Sequence, residues 1–188
     1  MKQNKSSMAS SLFAVLLVGL LSSVPARAEV SEQVDNGHPV VADHLASFKE
    51  TAFEVRRHAD TLDSMTPNRQ FDWRSHAHSL EILKEQVNDL GRTLTNLEEL
   101  KAQANGGQQM AIASARPHLA AVAQEVSRAL NLISDDRKSI YWAPYTDTVS
   151  NLYSHAASLY ETVDTIMDYE NARTRLSNLD LSTMAEGT

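Results

Sequence analysis

The sequence predicts an all-α protein: a long, left-handed, up-down-up-down antiparallel four-helix bundle preceded by a cleaved signal peptide. Four stretches of the chain carry apolar residues alternately three and four positions apart, which is typical of helices that pack on helices. Short segments rich in Pro, Gly, Asn and Asp separate these stretches. Glycine and proline number only 6 and 5, and aromatic residues make up 6% of the chain, so the composition favours helix over sheet.

The net charge, the cysteine content and the sequence motifs exclude several classes of function for this protein. The formal net charge of −7 argues against a nucleic-acid partner, because phosphate binding requires a basic face. The absence of cysteine excludes disulfides, thiolate metal sites and covalently attached c-type haem. The sequence carries no nucleophile elbow, no H-E-x-x-H and no glycine-rich phosphate loop. These observations predict a protein that is not an enzyme.

The first 28 residues have the pattern of a secretory signal peptide. Lys2 and Lys5 precede an apolar run over residues 12–21 that is too short to span a bilayer comfortably. Ala26-Arg27-Ala28 then supplies a cleavage site, and residues 29–38 read as a flexible leader. The sequence therefore predicts a periplasmic or secreted bacterial protein with no membrane span after cleavage.

The bundle is predicted over residues 39–179, and its first two helices over residues 40–65 and 72–104. Pro39 suits the first turn of helix 1, and Pro67 follows its end. Asp72 is the expected N-cap of helix 2, which carries the strongest heptad pattern of the chain. We expect Gly91 to permit the close approach of a neighbouring helix, and Asn105-Gly106-Gly107 to end helix 2.

Helices 3 and 4 are predicted over residues 108–134 and 139–179. The apolar register of helix 3 is the same on both sides of Pro117, so the pattern predicts a kinked helix and not two helices. Pro144 lies near the start of helix 4, where a missing amide costs little. Residues 180–188 are polar and are expected to form a flexible tail.

The histidines are the candidates for a metal or haem site between helices. His118 and His155 lie at similar sequence distances from the turn between helices 3 and 4, and His58 and His78 from the turn between helices 1 and 2. Each antiparallel hairpin would then place two histidines at one level, where bundle proteins build cofactor sites. The alternative is that these are half-exposed residues at the edge of the core. His76 lies on the apolar seam of helix 2 and is expected to be a partly buried, hydrogen-bonded histidine.

Helix 4 carries a candidate partner-binding face. Tyr153, Tyr160 and Met167 repeat every seven residues beside the core seam, and Trp142 precedes them. Aromatic residues at regular spacing suit a protein partner or self-association through helix 4. The alternative is a wide core edge that helix 1 covers.

Together these patterns predict an exported, non-enzymatic binding or interaction protein with no obligatory cofactor. A histidine-based carrier of metal or haem in the bacterial envelope is the alternative function.

Overall fold

The computed structural model describes the backbone of residues 38–185 and the side chains of residues 38–179. Four helices account for most of it: α1 (Pro39–Met65), α2 (Trp73–Glu99), α3 (Gly106–Asp135) and α4 (Ala143–Ala185). No strand occurs within these residues, so the prediction of an all-α fold with four helices is confirmed. Over the same range, no helix is both long and apolar enough to cross a membrane. The predicted signal peptide and residues 29–37 of the leader lie outside the described residues.

The four helices surround a single apolar core, as expected for a four-helix bundle. α1 packs against α2 and α4, and α3 packs against α2 and α4. Most of the buried apolar residues are those of the heptad seams, because a spacing of three and four places successive side chains on one face of a helix. These seams run from Val41 to Leu62, from Leu80 to Leu97, from Ile112 to Ile133 and from Tyr145 to Val163.

The turn between α2 and α3 differs from the sequence prediction. α2 ends at Glu99 and not at residue 104, and a 3₁₀ turn over Lys101–Gln103 follows it. The Asn105 side chain accepts a hydrogen bond from the Gln108 amide at 2.7 Å, and the Gln108 side chain accepts one from the Asn105 amide at 3.1 Å. This reciprocal capping box starts α3 at Gly106. Asn105-Gly106-Gly107 is therefore the start of α3.

Both ends of α4 also differ from the prediction. A 3₁₀ turn over Ser139–Tyr141, anchored by the buried Ile140, delays the start of the helix to Ala143. At the other end α4 continues to Ala185, past the predicted limit at residue 179. α3 runs through Pro117 as one helix, as the constant apolar register indicates.

Gly91 does not mark a close contact between helices, contrary to the expectation from the sequence. A Cβ atom added at Gly91 would meet nothing within 4 Å apart from its own helix and chain neighbours. Gly91 instead lines an open groove between α2 and α3, beside Leu94 and Leu119. The glycine therefore has no packing role that an alanine could not fill.

We predict that Leu83→Ala lowers the free energy of unfolding by about 2–4 kcal/mol, because it leaves a cavity at a fully buried position of α2. Urea denaturation of the purified chain measures this change. Met110→Ala, at a side chain that is 59% exposed, is the matched control and should change stability by less than about 0.5 kcal/mol. A loss at Leu83 as small as the control's would show that α2 is not the buried centre of the core.

We predict that Gly91→Ala raises the free energy of unfolding by up to about 1 kcal/mol, because alanine has the higher helix propensity and its methyl group meets open space. Thermal unfolding followed by circular dichroism measures the shift. A smaller gain is expected for Gly107→Ala, because a Cβ there would overlap the side chain of Glu170, which would have to move aside. If Gly91→Ala instead destabilised the protein, this glycine would have a packing role after all.

Candidate functional site

The most distinctive surface lies where the turn between α1 and α2 meets the turn between α3 and α4. Phe71, Tyr141 and Trp142 are 37%, 50% and 59% exposed, respectively. Tyr141 and Trp142 line an open groove of about 500 Å³ together with Arg69. We refer to these four residues as the aromatic end. Exposed aromatic side chains next to an arginine are the composition that protein interfaces favour.

Local hydrogen bonds fix the two exposed aromatic residues that precede α4. The Trp142 amide donates to the Ser139 carbonyl at 2.9 Å, which closes the 3₁₀ turn. The Trp142 carbonyl accepts from the amides of Tyr145 and Thr146 at 3.0 and 3.1 Å, so it belongs to the first turn of α4. Because Ile140 points into the core, Tyr141 and Trp142 are left at the surface.

A buried polar pair lies in the first turns of α2 and α4, next to the turns that form this surface. His76 of α2 is 1% exposed, and its Nδ1 atom lies 3.0 Å from the hydroxyl oxygen of the fully buried Tyr145 of α4. The two rings also meet edge to face, with centroids 5.5 Å apart. Burial lowers the pKa of His76 below its ordinary value of 6.5, against a weaker opposing effect of Asp72, and burial raises the pKa of the Tyr145 hydroxyl. Both groups are therefore neutral near pH 7, and their hydrogen bond ties α2 to α4.

Trp73 forms a second connection at this end. The guanidinium groups of Arg74 and Arg137 lie over its ring, at 4.8 and 4.4 Å from the ring centroid. Asp72 caps α2 by accepting from the amides of Arg74 and Ser75, and these hydrogen bonds lower its pKa. The stacking of Arg137 on Trp73 places the α3–α4 turn beside the start of α2.

The aromatic end carries positive charge in an acidic protein. Within residues 38–179, no ion pair involves Arg69, Arg137 or Lys138, whereas Arg74 pairs with Asp72. Arg69 thus stands at the groove beside Tyr141 and Trp142 with no carboxylate of the described chain in contact. A carboxylate on a bound partner would supply the missing opposite charge.

The histidines predicted to hold a metal have different surroundings. His118, His155 and His58 are half-buried, and His78 is exposed. The Nδ1 atom of His58 lies 2.9 Å from Gln86 Oε1, and its Nε2 atom lies 3.2 Å from Arg57 Nη2. Both ring nitrogens of His58 therefore already have a partner within the chain.

In the described part of the chain, no group of three or more His, Cys, Asp or Glu side chains could hold a metal ion. A metal or haem site at His118, His155, His58 and His78 stays a prediction from the sequence.

The predicted partner face on α4 divides into two parts. Tyr153, Tyr160 and Met167 are partly buried and pack against the core, whereas Trp142 is exposed. The ring of Tyr160 meets that of Phe53 on α1 at 5.5 Å, and Arg56 lies over Tyr160 at 5.0 Å. α1 thus covers Tyr160, as in the alternative of a wide core edge, and Trp142 is the member of the predicted face that is most available to a partner.

Two features of this end have no signal in the sequence. Tyr145 lies 69 positions after His76, and no spacing rule connects them. Arg69 is one of several polar residues in a turn, and its place beside Tyr141 and Trp142 follows only from the packing of two turns. Trp142 belongs to the partner face predicted from the sequence, whereas Phe71 and Tyr141 do not. Their signal is a large aromatic residue in a turn, because exposed turns rarely require such side chains for folding.

Comparison of the chain with protein-family models, with curated proteins and with solved structures finds no match.

We predict that His76 makes the fold less stable in mild acid. Because the pKa of His76 is lower in the folded state than its ordinary value of 6.5, protons bind preferentially to the unfolded chain below that pH. The stabilisation is complete above pH 6.5 and is lost as the pH falls from there toward the lower folded-state pKa. Urea unfolding at about pH 7.5 and pH 5.5 measures the loss.

His76→Gln is the control variant, since glutamine can still bond to the Tyr145 hydroxyl but does not titrate. The wild type should lose more stability than His76→Gln between the two pH values. Equal losses would mean that other groups cause the pH dependence.

Proposed function

We propose that this chain is an exported, non-enzymatic helical-bundle binding protein that recognises a protein partner through the aromatic end. The observation that carries the proposal is the exposure of Trp142 and Tyr141 at a groove that also presents Arg69. Large aromatic anchors and arginine account for most of the binding energy in many protein interfaces.

Each part of the aromatic end has a distinct role in the proposed binding. Trp142 and Tyr141 supply large apolar area and have few rotatable bonds, so their ordering costs little entropy on binding. Arg69 offers a planar set of donors that fits a carboxylate in two parallel hydrogen bonds. The preferred partner segment therefore presents an acidic side chain next to an apolar one.

Two contacts near the aromatic end hold this surface in place before a partner binds. The His76–Tyr145 hydrogen bond fixes the first turns of α2 and α4, and the stacking of Arg137 on Trp73 joins the two turns that form the aromatic end. A rigid scaffold reduces the entropy that a binding surface loses when a partner docks.

We also propose that the helices alternate in direction, up-down-up-down, and cross with a left-handed twist. Lys49 pairs with Asp164 at 2.6 Å, and further along α1 Phe53 meets Tyr160, which lies earlier in α4. Such pairs support an antiparallel arrangement of α1 and α4, as in an up-down-up-down bundle. The strict heptad spacing of the buried seams supports left-handed crossing.

Export is inferred from the N-terminal sequence. The basic start, the short apolar run over residues 12–21 and the Ala26-Arg27-Ala28 site support a signal peptide that is removed after residue 28. The proposed location is the periplasm or the exterior of a bacterial cell, where a chain without cysteine needs no oxidative folding.

We predict that a photo-crosslinking amino acid at position 142, introduced into the full-length chain in its own cells, captures a discrete protein partner. Irradiation followed by immunoblotting and mass spectrometry would show the adduct and identify the partner. The matched control is the same amino acid at position 110, where the native methionine is equally exposed at 59% but lies on α3. Arg69→Ala in the position-142 background should reduce the adduct, because it removes the charge that pairs with a carboxylate.

Identical adducts at positions 110 and 142 would indicate random collision and would contradict the proposal. So would an adduct at position 142 that Arg69→Ala leaves unchanged. The absence of any adduct in cells that express the protein at its natural level would exclude a stable partner at this surface.

A further inference from the structure

The buried seam of α4 ends near the start of α3. Val163 is fully buried and Ile166 is partly buried, but the next two seam positions carry Glu170 and Arg173. The Glu170 side chain lies where a Cβ of Gly107 would be, and Glu170 Oε2 accepts a hydrogen bond from Asn105 Nδ2 at 3.5 Å. Polar residues thus replace apolar ones on this face of α4 at the level where α3 begins.

An apolar stripe on a different face continues beyond this point. Tyr169, Leu176 and Leu179 are 66%, 64% and 61% exposed, and Ala172 between them is also exposed. The four residues are spaced three, four and three positions apart, which is the spacing of a coiled-coil seam. At 100° per residue the stripe lies about a third of a turn away from the core seam, so the bundle's own core does not cover it. We refer to these four residues as the α4 stripe.

We propose that the α4 stripe pairs with the α4 stripe of a second copy of this chain, as a short parallel coiled coil in register. The proposal does not depend on the aromatic end, which lies at the α3–α4 turn, at the opposite end of α4. It also involves a different part of α4 from Tyr153 and Tyr160, which pack against the core.

The charges beside the stripe favour a second copy and a parallel arrangement. If Tyr169 and Leu176 occupy position a, Asp168 occupies position g and Arg173 occupies the following position e. In a parallel pair in register, Asp168 of each copy faces Arg173 of the other, and both side chains are exposed, at 71% and 55%. An antiparallel pair would be centred near Thr174 and would bring Arg173 and Arg175 close to the same arginines of the second copy. Like charges at that distance oppose pairing.

The competing interactions of these charges within one chain are weak. Asp168 lies 3.9 Å from Lys49, and Arg173 lies 4.0 Å from Glu170, both at the limit of an ion pair. Ion pairs this long contribute little, and the Asp168 and Arg173 side chains are themselves exposed, so both are available to a second copy. The stripe covers only about three turns of helix, so we expect a weak dimer that forms at high protein concentration.

Sedimentation velocity of the purified full chain, up to about 1 mM protein, tests the proposal against a double variant, Leu176→Gln with Leu179→Gln. Glutamine keeps the helix propensity of leucine but removes its apolar surface from the stripe. We expect the wild type to dimerise and the double variant to dimerise at least about tenfold more weakly. Met110→Gln, which removes an exposed apolar side chain from α3, should dimerise like the wild type. Circular dichroism confirms that each variant is folded.

Charge exchange tests the parallel arrangement. Asp168→Arg and Arg173→Asp should each weaken the dimer about threefold to tenfold, and the two together should restore it. A wild type that stays monomeric over the whole concentration range would overturn the proposal. A dimer that survives Leu176→Gln with Leu179→Gln would place the contact elsewhere on the chain. A stronger dimer with Arg173→Asp alone would contradict the parallel arrangement.

Discussion

The buried leucines of α2 lie in the apolar core that all four helices share, and the packing of this core is the interaction on which the fold depends. These leucines are Leu80, Leu83, Leu90 and Leu97, and each is fully buried. The seams of the remaining helices contain many alanines, among them Ala52, Ala59, Ala115, Ala129 and Ala156, all buried. Alternation of large and small buried side chains lets neighbouring helices pack closely. The heptad period keeps each leucine on the inner face along the whole of α2. The packing of the core therefore does not determine which residues stand on the outer faces of the helices.

Polar residues occupy seam positions where the core ends, and they do so differently at the two ends of α4. Near the start of α4, the buried His76 and Tyr145 satisfy one another by a hydrogen bond and hold α2 against α4. Near the start of α3, Glu170 interacts with Asn105 and excludes a side chain at Gly107. Both arrangements pair a polar group that would otherwise be costly to bury. The aromatic end lies near the first of these arrangements, and the α4 stripe lies near the second, on a different face of α4.

The aromatic end combines features that folding alone does not require. Tyr141 and Trp142 contribute little to the core, because the neighbouring Ile140 is the buried residue of their turn. Arg69 has no ion pair within the described residues, although the chain as a whole has an excess of acidic residues. Burial of the exposed aromatic surface and pairing of the unmatched positive charge would both stabilise a complex with a partner. A rigid helical scaffold that holds these residues in place is well suited to this role.

The sequence by itself determined the number of helices and the buried face of each, because heptad spacing depends only on the local geometry of a helix. Helix ends were less predictable. The Asn-Gly-Gly segment suggested only the end of α2, but the capping box of Asn105 and Gln108 makes this segment the start of α3. The interpretation of Gly91 was wrong for a similar reason, since the space around a glycine depends on other helices. Only the tertiary structure decided that His76 meets Tyr145, that α1 covers Tyr160, and that Arg69 stands beside Trp142. Each of these contacts joins residues far apart in sequence, and their meeting depends on how whole helices pack and not on any local pattern.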